Sequence, residues 1–261
     1  MKAVIFCGGK GTRIRDVAEL IPKPMVQIGG KPILWHIMKH FSYYGIHEFI
    51  LCLGYKGWNI KEYFLNFKAM NYDLTVEIGK RDSITLRNDV EAPDWNITLA
   101  ETGEDAMTGA RLWKVRKYLE GSGHFFVTYG DGLSSINLKD VLKFHESHGK
   151  AATISGVRPS GRFGELTIDG DVITRFDEKP QYEEGWISGG FMVFDNKKVW
   201  DYFWPAEGLI LERESLPAMA KDRELKVFKY EGFWMGMDTI REYNILNELW
   251  NTGKAPWKVW D

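Results

Sequence analysis

The chain has 261 residues, enough for one large domain or two small ones. Its 44% hydrophobic and 27% charged side chains are those of a globular protein and exclude a disordered, collagen-like or disulfide-framework chain. With 34 basic against 36 acidic residues the net charge is -2, so no global basic field recruits nucleic acid or a membrane surface, and an anionic ligand needs a local site. Cys7 and Cys52 sit in apolar runs and read as reduced core thiols of a cytoplasmic protein. No run has signal-peptide or transmembrane length.

Lys2 to Cys7 is a short continuous apolar run, the pattern of a strand buried on both faces. The segment Gly8-Gly9-Lys10-Gly11-Thr12-Arg13 follows at once. Pro32 opens a helix with Ile33, Ile37 and Phe41 on one face, and Gly45 closes it. Phe49 to Leu53 predicts a second buried strand, Lys61 to Phe67 a helix, and Leu74 to Ile78 a short strand among polar segments. A third buried strand, His124 to Tyr129, empties into Gly130-Asp131-Gly132. Leu138 to His148 is an amphipathic helix and Ala151 to Val157 a strand. This alternation predicts an α/β fold with a Rossmann-like, doubly wound, mostly parallel sheet. The second half adds an antiparallel elaboration: Glu165 to Ile168, Asp169-Gly170 and Val172 to Phe176 read as a hairpin with a type I′ turn. A T-x-x-E capping box, Thr239 with Glu242, starts a last helix. No linker or repeat interrupts the chain, so residues 1–261 are expected to form a single domain.

A strand emptying into glycines places backbone N–H groups around an anion, although a plain tight turn has the same composition. A dinucleotide fingerprint needs a glycine where Ile14 stands, and a P-loop needs G-K-[ST] where the chain has Gly11-Thr12-Arg13. Arg13 and Lys23, which precedes Pro24, add two cations suited to a triphosphate. Asp131 emerges where parallel sheets bind ligands, against the alternative of a G-D-G turn satisfying its own backbone. Asp238 precedes a capped helix, where an acidic residue is also favoured electrostatically. Together the two carboxylates could hold one Mg²⁺. Read alone, Lys179 is a solvated lysine before a turn-forming proline.

G-G-K-G-T-R followed by K-P resembles the loop of the sugar-1-phosphate nucleotidyltransferases. Further segments narrow the resemblance to members that join CTP to glucose 1-phosphate. They include Lys31 to Met38, Gly54-Tyr55-Lys56-Gly57, Thr102-Gly103, Met107-Thr108-Gly109, Thr128 to Gly132 and Gly161 to Gly164. Glu178-Lys179-Pro180, Gly189-Gly190-Phe191, Gly232-Phe233-Trp234, Met237-Asp238-Thr239 and Gly253 to Lys258 complete the series. The resemblance implies a nucleotide site of Cys7, Gly8, Gly9, Gly11, Thr12, Thr108, Gly109 and Gly130, with Arg13 and Lys23 as catalytic cations. It implies sugar-phosphate contacts from Gly164, Glu178, Lys179 and Gly190, and a Mg²⁺ ion held by Asp131 and Asp238. On that reading 1–135 is mainly the nucleotide side, and 136–261 mainly the sugar-phosphate side with the C-terminal helix.

CTP and a sugar 1-phosphate, with α-D-glucose 1-phosphate leading, are the implied substrates, and CDP-glucose with pyrophosphate the products. Another pyrimidine triphosphate or phosphorylated acceptor, or a non-catalytic nucleotide-sugar-binding paralogue, are the alternatives. An oxidoreductase on the same layered fold lacks its third glycine. Departures from the pattern are Ser188 for a common Asn, Met235-Gly236 for Gln-Pro and Ala110 for Gly; the first two bear on sugar preference. The resemblance and the 14% aromatic content imply a homo-oligomer. His145 and His148 share a helical face and read as solvated, His36 as packed within its helix. Ala255 to Trp260 reads as an aromatic clamp against the body or a neighbouring subunit, with a sugar platform as alternative.

Overall fold

The apolar runs become strands of one seven-stranded sheet in the computed structural model. The structure describes residues 1–9, 21–79, 83–87, 93–158, 165–169, 172–177 and 185–260, with backbone alone at 165–169 and 172–177. The strands are β1 (Lys2–Phe6), β2 (Glu48–Leu53), β3 (Asn96–Glu101), β4 (His124–Tyr129), β5 (Ala152–Val157), β6 (Ile187–Asp195) and β7 (Leu225–Tyr230). Their order across the sheet is β7-β5-β6-β4-β1-β2-β3. Every neighbouring pair is parallel except those of β6, which runs antiparallel between β4 and β5. The sheet is therefore the expected doubly wound, mostly parallel one.

Ala3 and Ile5 of β1 enter one core and Val4 and Phe6 the other, which is why its sequence shows no alternation. The first core packs α1 (Ile33–Tyr43), α2 (Gly57–Leu65), α5 (Leu138–His148) and α7 (Ile240–Asn251) against one face; α3 (Phe67–Asn71) follows α2 directly. The second packs α4 (Thr108–Val115) and α6 (Leu216–Lys221) against the other. The chain runs outward from β1 through β2 to β3, then returns to β4 on the other side of β1. That reversal opens a crevice beyond the carboxyl ends of β1 and β4.

Several expectations shift. The helix expected over Lys61 to Phe67 is two helices, α2 and α3, meeting at Asn66. Leu74–Glu77 pairs antiparallel with Ser83–Leu86, outside the main sheet. The hairpin of the second half pairs Glu165–Asp169 with Val172–Asp177 and closes on Asp169 and Val172; Gly170 lies outside the described residues. His145 is not solvated: α5 lays this face on β5, where His145 is 1% exposed and both His145 Nδ1 (2.9 Å) and His148 Nε2 (2.7 Å) meet Thr153 Oγ1. The tail clamps the body: Trp257 is fully buried and stacks on Phe233 with ring centroids 5.6 Å apart. Among the described residues no helix is long and apolar enough to cross a membrane.

Candidate active site

Two neighbouring strands end side by side at the reversal point. Cys7 N donates to Cys52 O (3.0 Å), then Gly8 and Gly9 lead the chain away. One strand over, Gly130 N donates to Phe6 O (3.0 Å). A Cβ on Gly130 would lie 2.9 Å from Phe6 O and from Pro24 Cγ, so only glycine lets the two strand ends close up. Between them lies a cavity of about 260 Å³ lined by Cys7, Gly8, Gly9, Lys23, Thr108, Tyr129, Gly130, Asp131 and Asp238, among others. A smaller chamber of about 70 Å³ shares Tyr129, Asp131 and Asp238 with it and is bounded by Ser188, Gly190 and Trp234. The two aspartates stand at the junction.

Local structure explains how distant aspartates meet. Gly132–Ser134 pairs antiparallel with Trp234–Gly236, and Met237 N donates to Asp131 O (2.8 Å). Asp238 is held just ahead of α7, where Glu242 Oε2 accepts from Asp238 N (2.7 Å) and Thr239 N (2.9 Å). Thr239 Oγ1 accepts in turn from Glu242 N (3.3 Å), completing the expected capping box. Lys23 arrives from the other side on the one-turn helix Lys23–Met25, and its Nζ lies 2.6 Å from both Asp131 Oδ2 and Asp238 Oδ1. Burial draws the Lys23 pKa down, but the two carboxylates more than offset it and hold the ammonium above its ordinary range.

The carboxylate pair fits a divalent ion, because it already converges on one cation. Among the described residues no three His, Cys, Asp or Glu side chains gather to hold a metal. Two carboxylates suffice for Mg²⁺, which keeps waters and takes phosphate oxygens.

Of the expected nucleotide residues, Cys7, Gly8, Gly9, Thr108 and Gly130 line the larger cavity. Gly109 instead faces Leu209, whose Cγ would lie 2.6 Å from an added Cβ. Thr108 Oγ1 donates to Glu212 Oε2 (2.6 Å) and accepts from Leu211 N (3.0 Å), so its hydroxyl is already committed. Gly190, at φ +77°, lies under the Tyr129 ring in the smaller chamber. Gly11, Thr12, Arg13, Gly164, Glu178 and Lys179 lie outside the described residues. Burial pushes the Cys52 thiol up to about 12 and raises Cys7 well above its ordinary value, so both stay protonated, and the Cys7 N–H is spent on Cys52 O.

Sequence reasoning missed Arg111, Tyr129 and Glu212. Arg111 lies on the buried face of α4, beside Ala110 and Leu112, and its guanidinium presses against Gly8 and Gly54. The charge on an otherwise apolar helix face was the available signal. The Tyr129 hydroxyl donates to Glu212 Oε1, latching β4 to the turn before α6.

Residues 2–243 match the nucleotidyl transferase family. The chain is 45% identical over 261 residues to a glucose-1-phosphate cytidylyltransferase from Salmonella typhi, covering all of both chains. It is 30% identical over 250 residues to mannose-1-phosphate guanylyltransferase 1 from Arabidopsis thaliana, covering 93% of this chain and 63% of that one. Among solved structures, HddC from Yersinia pseudotuberculosis complexed with GMP-PN superposes with a TM-score of 0.65 at 26% identity. That match covers 95% of this chain and 99% of the other.

Proposed function

This chain belongs to the nucleotidyl transferase family, and from that premise we propose that it makes CDP-glucose and pyrophosphate from CTP and α-D-glucose 1-phosphate. The observation that carries the reading is the junction: Asp131 and Asp238 stand where a glycine-lined cavity and a smaller chamber meet, with a lysine between them. The triphosphate fits the larger cavity, its charge met by the N–H groups of Gly8 and Gly9. Arg13, Gly11 and Thr12 complete that loop in the family pattern. The sugar phosphate fits the side of Gly190, with Lys179, Glu178 and Gly164 assigned there by the same pattern.

A sugar-phosphate oxygen bonds to the α-phosphorus as the bond to the leaving pyrophosphate oxygen breaks. The attacking oxygen is already anionic, so no residue need act as base. The residues therefore work by positioning and by neutralising charge, Lys23 and Arg13 on the triphosphate and Lys179 on the acceptor. Asp131 and Asp238 would hold Mg²⁺, which when bound offsets charge building on the phosphates. Buried free thiols support a reducing, cytoplasmic setting. The exposed Ile78 and Ile84 of the small hairpin support a homo-oligomer.

Pyrophosphate release from four nucleoside triphosphates crossed with several sugar 1-phosphates tests this. CTP with glucose 1-phosphate should turn over fastest, and Asp131→Asn or Asp238→Asn should each cost at least ~10-fold in metal affinity or rate. No pyrophosphate from any pair would overturn the transfer reading. Full activity in chelator would overturn the metal assignment.

A further inference from the structure

The aspartate pair built to hold a divalent ion already holds an internal cation. The Lys23 ammonium contacts one oxygen of each carboxylate at 2.6 Å, and its side chain is 13% exposed. A Mg²⁺ ion binds oxygens at roughly 2.0–2.1 Å in a nearly rigid octahedron. An ion taking those two oxygens would have to displace the ammonium. One held by the other oxygens of the same carboxylates would still stand within a few ångströms of it, where two cations repel strongly in a half-buried site. Lysine and metal are alternatives there, not neighbours.

We propose that Lys23 is a displaceable stand-in for the metal: it occupies the aspartate pair in the resting enzyme, and the divalent ion arriving with the nucleotide evicts it and frees its ammonium for the triphosphate. The proposal rests on the transfer reading above and assigns Lys23 two successive partners. The geometry allows the exchange, because Lys23, both aspartates and the Gly8-Gly9 turn line one cavity and the ammonium rides a flexible four-carbon stem. The device has two consequences. The empty enzyme does not face two half-buried carboxylates across a gap without a cation. A metal without nucleotide binds poorly, since eviction strands an ammonium that only phosphate oxygens then satisfy. Metal and nucleotide are thereby coupled, each improving the other's affinity.

Mn²⁺ titrations of the full chain without nucleotide, followed by the electron paramagnetic resonance signal of the free ion, test the exchange. Lys23→Met and Lys23→Gln should each bind Mn²⁺ at least ~10-fold more tightly than wild type, because they remove an ammonium held by two charge-assisted hydrogen bonds. Mg²⁺ alone should raise the melting temperature of Lys23→Met and leave wild type nearly unmoved. Adding Asp131→Asn to Lys23→Met should abolish the gain. Lys23→Gln keeps a neutral donor, so the comparison survives if Lys23→Met folds poorly. Equal Mn²⁺ affinity in wild type and both variants, with Mn²⁺ and CTP together still binding wild type, would overturn the exchange and leave the transfer reading standing. Turnover in chelator, with no Mn²⁺ bound by any form, would overturn the exchange and the metal assignment while leaving the transfer reading standing. No pyrophosphate from any substrate pair would overturn the transfer reading itself.

Discussion

Arg111 is 2% exposed, and its guanidinium donates to Leu53 O (2.8 Å), Thr102 Oγ1 (2.6 Å), Gly103 O (2.9 Å) and Glu104 O (3.2 Å). These bonds tie the ends of β2 and β3 together directly beneath Gly8. Burial draws the Arg111 pKa down, yet a guanidinium remains charged in a protein. One residue thus braces the glycine turn and places a positive charge under the position assigned to the phosphates. Arg111→Met keeps much of the volume but leaves buried acceptors without donors, at a cost of about 1–3 kcal/mol. Its urea midpoint should fall and its CTP affinity weaken, with the requirement for sugar 1-phosphate little changed. Arg111→Lys should recover only part, because an ammonium cannot reproduce the planar fork. Unchanged stability and CTP affinity in Arg111→Met would show that the turn stands without it.

At the scale of elements, the cap of α7 does two jobs. It satisfies helix N–H groups, and through Glu242 Oε2 it fixes the backbone of Asp238. Thr239→Ala should cost about 1 kcal/mol of stability, as lost N-caps do. Glu242→Ala should cost a similar amount of stability but more in turnover, with a raised Mg²⁺ requirement, because Asp238 loses its anchor. Equal loss of stability and rate in the two variants would mean the cap is structural only. This element was legible in the sequence, since Thr239, Glu242 and the helix they start are local in the chain. So were β1, β2 and β4, whose short apolar runs read as buried strands, and hence Asp131, which follows one after a single glycine. What was not legible depends on distant partners. β6 finds its antiparallel place between β4 and β5 through pairing across the chain, and Arg111 is exceptional only once α4 is known to lie on the sheet. The same holds for Lys23: its spacing from Arg13 suggests a phosphate ligand, and only the fold brings it onto Asp131 and Asp238.

Across the whole molecule, buried neutral histidines join elements that must stay together. His36 Nε2 lies 2.9 Å from Ile28 O, and Trp257 Nε1 points at His36 Nδ1 from 3.4 Å, so α1 is linked to the short antiparallel pair of Gln27–Ile28 with Lys31–Pro32 and to the C-terminal tail. That arrangement requires Nε2 to donate and Nδ1 to accept; a second proton would set two donors against each other. His40 Nε2 contacts Ile136 O (3.0 Å), and His145 contacts Thr153 as described. Burial, before any other influence, lowers all three pKa values to about 4. Unfolded, each histidine titrates near its ordinary value of about 6.5. Above that pH both states are neutral and stability does not depend on these groups. Below it the unfolded chain takes up protons that the native state refuses, so stability is lost as pH falls from about 6.5 towards 4. Each histidine contributes up to roughly 1.4 kcal/mol per pH unit across that window. Urea unfolding at pH 7.5, 6.5, 5.5 and 5.0 should therefore show a plateau followed by a steep decline, made shallower by His145→Asn. A free energy of unfolding that stays level from pH 7.5 to 5.0 would mean that these rings accept protons without opening the core.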